Sequence, residues 1–136
     1  MPHSTLDHTA DTGLEASADS LPKLIEELAT GMFELMADVG PCPADRTVEV
    51  TVEATSTEDL VVDALSELLY LSETEGLHLC RFDVTLSEDD VVRISATGIP
   101  TEDIELTGPP IKAVTYHQLH VSETDAGWSA TVYFDV

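Results

Sequence analysis

Positive charge is what this sequence has least of. Five of its 136 residues are Lys or Arg (Lys23, Arg46, Arg81, Arg93 and Lys112) against 27 Asp and Glu, a formal net charge of -22. Nucleic-acid phosphates are bound by Lys and Arg that displace condensed counterions. Direct binding of DNA or RNA is therefore excluded as a main activity, and any part in RNA chemistry has to pass through a protein partner. The acids are spread along the chain and form no tail. A compact domain this acidic repels itself at ordinary ionic strength, whereas at molar salt the Debye length falls to about 3 Å. The composition is halophile-like, suited to a salt-rich cytoplasm.

Cysteine is nearly missing as well. Cys42 and Cys80 lie far apart without C-x-x-C spacing, which excludes a zinc knuckle and a redox dithiol motif. They are expected as buried or idle thiols, with one disulfide as the alternative. No apolar run approaches the ~20 residues of a membrane span, and "MPHSTLDHTADTG" has neither the basic nor the apolar region of a secretory leader. The expectation is a soluble, cytoplasmic protein with no membrane association. G-x-S-x-G, Walker A, H-E-x-x-H and G-x-G-x-x-G patterns are absent too. That leaves no nucleophile with an obvious base.

What is present suffices for one domain over residues 1–136, since 43% of the chain is apolar. "GLEASA" alternates as a short strand. A helix follows, with Ser20 as N-cap, Pro22 in its first turn, and an end at Gly40–Pro41. "DRTVEVTVEAT" reads as a strand, and Ser56 or Thr57 then caps a second helix that stops at Gly76. "LHLCRFDVTLS" and "DVVRISATG" form a hairpin; after the loop "IPTEDIELTGPP", "IKAVTYHQLHVS" and "WSATVYFDV" form another. Two helices on an antiparallel-rich sheet give an α+β fold.

Three stretches could carry chemistry. In "DHTADTG", a bend over Thr9, Ala10, Thr12 and Gly13 would let His8 and Asp11 converge, or would hold the stretch in Asx-type turns near Asp7. At the other end, Asp135 is followed by the α-carboxylate of Val136. Two hard anionic oxygen groups this close suit calcium, magnesium or manganese better than zinc. Third, Lys112, Tyr116, His117 and His120 interrupt a β-branched pattern. On a regular strand His117 and His120 face opposite ways, which excludes chelation of one metal by the pair.

Taken together, "DHTADTGLEASADSL", "EELATGMFELMADVG", "DALSELLYLSETEGL", "IKAVTYHQLHV" and the terminal W-x-A-x-V-x-F-D-V resemble the archease family from about residue 3 to residue 136. The resemblance implies a duplicated strand-helix-strand-strand module. It also implies a non-enzymatic accessory of tRNA splicing that activates the RNA ligase joining 3′-phosphate or 2′,3′-cyclic phosphate ends to 5′-hydroxyls. The activator promotes guanylylation of the ligase and so its multiple turnover. A divalent cation, calcium in the family, would be held by Asp11, Asp135 and Val136. Asp7 and His8 would support that site or shape its turn, and Glu67, Lys112, Tyr116 and His117 would face the partner. RNA would be met only through the ligase. Two readings compete: a metal-dependent phosphoesterase using Asp7, His8, Asp11, His117 and Asp135, and a general chaperone-like protein-binding module.

Overall fold

A computed structural model describes residues 3–7, 11–42, 46–89 and 91–136, with backbone only at residues 4–7 and at Asp11. The elements are β1 (His3–Asp7), β2 (Asp11–Ala18), α1 (Leu21–Met36), β3 (Arg46–Glu53), α2 (Thr57–Glu75), β4 (Leu77–Leu86), β5 (Val91–Pro100), a 3-10 turn at Thr101–Asp103, β6 (Ala113–Thr124) and β7 (Gly127–Asp135). The α+β class and both helices are as the sequence predicts. The strands divide into two antiparallel sheets, ordered β1-β2-β7-β6 and β3-β5-β4.

The duplication is visible in that order. β3, α2, β4 and β5 make a strand-helix-strand-strand unit whose third strand lies in the middle. β2, α1, β6 and β7 repeat the arrangement, with β1 added at the edge. One unit is inserted between α1 and β6 of the other, so the repeat is not consecutive in sequence. Helix α1 packs against β2 and β4, and α2 against β3 and β6. Each helix thus covers strands of both sheets, and Leu14, Leu24, Leu28, Phe33, Leu65, Leu68, Ile94 and Phe134 join one core.

Local signals account for most boundaries. The Ser20 side chain accepts from the Lys23 N–H at 3.3 Å, and Ser56 accepts from the Asp59 N–H at 3.1 Å, closing the first turns of α1 and α2. Gly76 ends α2 in the left-handed region at φ 65°. Helix α1 ends four residues before the expected Gly40, at Met36, with Ala37 extended. The reason is tertiary: the Met36 carbonyl accepts from the N–H groups of Thr107 at 2.9 Å and Gly108 at 3.1 Å. A Cβ at Gly108 would collide with the Leu35 carbonyl oxygen.

Two further expectations need correction. Thr12 and Gly13 lie in β2 and not in a bend, because both are paired to β1 and β7. Thr9 and Ala10 lie outside the described residues. Cys42 and Cys80 are not idle thiols; they form a disulfide with a Cα–Cα distance of 5.6 Å. Cys80 is the extra residue where the β4–β5 register shifts between Leu79 and Arg81, and the chain leaving α1 passes beside it. Sequence separation concealed a neighbourhood made by the packing of α1 on β4.

Candidate functional site

The end of the chain is the end of a central strand. β7 runs between β2 and β6, and the register sets Asp135 opposite Asp11 on one side and Ala113 on the other. Directly opposite residues of an antiparallel pair have Cα atoms about 4.5–5.5 Å apart. Residues 11 and 135, separated by almost the whole sequence, are therefore neighbours. The Lys112 N–H donates to the Asp135 carbonyl at 2.7 Å, fixing the terminus from the other side. Along β7, Val132 and Phe134 enter the core. Tyr133 and Asp135 occupy the opposite face by strand alternation. Asp135 is exposed, and Val136 is partly buried against the core edge.

The other residues expected here sort unequally. Asp7 is paired with Thr12, one step out of phase with Asp11, so its position is not in the row shared by Asp11 and Asp135. His8 and the Asp11 side chain lie outside what the structure describes. Among the described residues, no three His, Cys, Asp or Glu side chains converge as a metal site. Register brings together the positions of Asp11 and Asp135, with Val136 adjoining.

Strand β6 departs from regularity in the middle of the Lys-Ala-Val-Thr-Tyr-His segment. Thr115 pairs with Tyr133 and the next pair is His120 with Thr131, so five residues of β6 advance the ladder by two of β7. His117 and His120 therefore do not lie on one unbroken strand, and the opposite facing expected from strand alternation does not hold for them. Tyr116 is 57% exposed, yet its hydroxyl donates to Asp59 Oδ1 of α2 at 2.7 Å. That hydrogen bond first, then desolvation and the charges of Asp59 and Asp63, push its pKa up to about 12. The phenol is thus a fixed donor and not a neutral-pH acid or base. Gln118 adopts φ 51°, and the His117 ring meets the Tyr133 ring edge-on at 6.2 Å. Neither Asp59 nor Gln118 carried any signal in the sequence.

Lys112 is exposed and, with Ala113 and Val114, lines an open groove of about 230 Å³ against Ser66, Leu69, Tyr70 and Glu73 of α2. Glu67 is exposed on α2 but outside that groove. A larger cleft of about 680 Å³, lined by Lys23, Glu26, Glu27 and Trp128 among others, lies at the far end of the four-stranded sheet, where Ala18 pairs with Trp128. Glu26 there is already engaged by the Val84 N–H at 2.9 Å and Lys23 at 3.3 Å. His78 is buried against Phe33; burial lowers its pKa, and its hydrogen bond to the Ala37 backbone opposes that in part. It serves packing against Phe33 of α1.

Comparison with known proteins identifies the family and the fold. The model of the archease protein family matches residues 3–136. The chain is similar to the archease of Methanosarcina barkeri, at 35% identity over 96% of this chain and 93% of that one. It is similar also to that of Pyrococcus furiosus, at 31% identity over 96% and 95%. Among solved structures, Methanobacterium thermoautotrophicum protein 1598 superposes with a TM-score of 0.78 at 30% identity, covering 99% of both chains. A Thermotoga maritima archease, described as a possible chaperone, gives 0.69 at 25% identity, covering 98% and 96%.

Proposed function

This chain belongs to the archease family, and from that premise we propose that it is the accessory protein of a tRNA-splicing RNA ligase. In this reading it promotes guanylylation and multiple turnover in joining 3′-phosphate or 2′,3′-cyclic phosphate ends to 5′-hydroxyls, and is not itself an enzyme. The observation that carries the proposal is the register setting Asp11 opposite Asp135 at the chain terminus. Register then sets the positions of two aspartates beside each other at one strand end, with Val136 and its α-carboxylate adjoining. Their carboxylates are hard oxygen donors, a set that fits calcium, with magnesium or manganese as alternatives, and does not fit zinc. A divalent cation bound there supplies charge neutralisation beside a transferring phosphate.

The chain's own part is to hold the donors rigidly. The Lys112 N–H fixes the Asp135 backbone, and Phe134 anchors β7 in the core. The net charge of -22 disfavours direct RNA contact, so the protein works on the ligase, in the cytoplasm, and meets RNA only through it. Lys112, Glu67 and the β6 segment are the candidate ligase-facing groups. The hydrolytic alternative is weakened by the phase of β1, which separates Asp7 from the row of Asp11 and Asp135.

The test is multiple-turnover ligation by the cognate ligase in molar KCl, with this chain at a small fraction of the ligase concentration. Wild type should stimulate turnover, and Asp11→Ala, folded by circular dichroism, should not. Ligation unaffected by wild type would overturn the reading.

A further inference from the structure

The two strand-helix-strand-strand units provide an internal control for strand β6. β4 and β6 are equivalent strands, and in both the ladder breaks after three regular pairs, at Leu79 and at Thr115. In β4 the break is one residue, Cys80, since two residues of β4 advance one of β5. In β6 the same break holds three extra residues within Tyr116–Leu119. The fold itself requires no more than the smaller bulge.

The longer excursion is nonetheless held firmly. Tyr116 is tied to Asp59 of α2 at 2.7 Å. Thr115 Oγ1 accepts from the His117 N–H at 3.3 Å and donates to the Tyr133 carbonyl at 3.1 Å. Leu119 returns the chain to the core edge. Between these restraints Gln118, which is not glycine, holds φ 51°. Sparsely populated backbone conformations persist only where surroundings over-determine them, and they concentrate at functional sites. The side chains of His117 and Gln118 are left exposed. His117 lies against Tyr133, two residues along β7 from Asp135.

We propose that Tyr116–Leu119 is a preformed docking seat for the ligase, beside the terminal carboxylates. Tyr116 is its positioning latch, and His117 and Gln118 are the groups presented. This rests on the ligase reading above and narrows its ligase-facing groups to one segment of β6. The occupant is argued from charge: Asp59 and Asp63 flank the seat on α2 and act on Tyr116, and the whole chain is strongly acidic. The matching ligase surface therefore carries Lys or Arg for those carboxylates and hydrogen-bonding groups for the imidazole and amide.

The test uses immobilised cognate ligase in molar KCl, with binding and stimulation of turnover read separately. The double variant His117→Ala/Gln118→Ala should weaken binding at least about tenfold, as loss of interface anchors does, while calcium affinity and the melting temperature stay unchanged. Tyr116→Phe should weaken binding less and leave saturating stimulation intact, as expected of a group that only positions the seat. Asp135→Asn should keep binding and lose stimulation, which separates the seat from the metal reading. Binding by the double variant equal to wild type would overturn the seat alone. Failure of wild type to bind at all would overturn the seat and the ligase reading together.

Discussion

Tyr116 shows how an exposed side chain can be committed. Its hydroxyl donates to Asp59 at 2.7 Å, and its pKa rises to about 12. In the unfolded chain the phenol titrates near 10. Its contribution to stability is thus fully present below pH ~10 and is lost as pH rises through about 12. Ultraviolet difference titration should resolve one tyrosine with a pKa near 12, and Tyr116→Phe should remove that step; a variant that retains it would show that another tyrosine is responsible. His78 makes the opposite case. Burial lowers its pKa, so folded His78 stays neutral where the unfolded residue takes a proton. Stability is full above the unfolded pKa of about 6.5 and falls as pH drops below it. Urea unfolding in molar KCl, which suppresses the carboxylate background, should show lower stability at pH 5.5 than at 7.5, roughly bracketing that pKa, and His78→Gln should flatten the slope. At this scale the sequence was legible where chemistry is local, as in the caps Ser20 and Ser56. It was silent on Asp59, which looks like any other acid of a helix first turn until β6 brings Tyr116 to it.

Elements were read more reliably than their ends. Both helices were predicted from apolar spacing and capping, and Gly76 marked the end of α2 because a left-handed position follows it. No local signal encodes the end of α1; the Thr107 and Gly108 N–H groups take the Met36 carbonyl from a loop some seventy residues on. Gly108→Ala should therefore be costly, since its Cβ meets the Leu35 carbonyl and backbone must move. A loss of about 2 kcal/mol or more is expected in urea unfolding, in the range of mutations that force backbone strain; a loss below about 0.5 kcal/mol, the level of neutral surface changes, would mean the loop yields freely. Strand β1 escaped notice because its five residues, His3–Asp7, carry little apolar alternation. His3 instead ties the strand to α1 through Glu27 at 2.9 Å and Glu34 at 3.0 Å. The excursion in β6 was invisible for a related reason: "TYHQLH" alternates well enough to pass for a regular strand, and only its partner β7 reveals three residues too many.

For the whole molecule, charge and connectivity set the terms. With a net charge of -22, the melting temperature should rise steeply as KCl increases from tenth-molar to molar, where screening reaches a few ångströms; a flat response would remove the halophile-like reading. The disulfide closes a loop across 38 positions, for which chain entropy suggests roughly 2–4 kcal/mol. Reductant should therefore lower the melting point of wild type and leave Cys42→Ser/Cys80→Ser unaffected; equal sensitivity would exclude the bridge as the cause. The nested duplication explains why the family motifs at residues 11 and 135 are informative only together: insertion of one unit into the other leaves the first and last strands of the outer unit as neighbours. The claim that this junction activates a ligase through its terminal carboxylate is tested most directly by ligase guanylylation. The measurement is radiolabelled GMP transferred to the cognate ligase after one round of ligation, with wild type and with a variant carrying one extra glycine after Val136. The account predicts that wild type restores guanylylation and that the extended chain, equally stable, does not, because its α-carboxylate has moved away from Asp11 and Asp135. Equal restoration by both would contradict it.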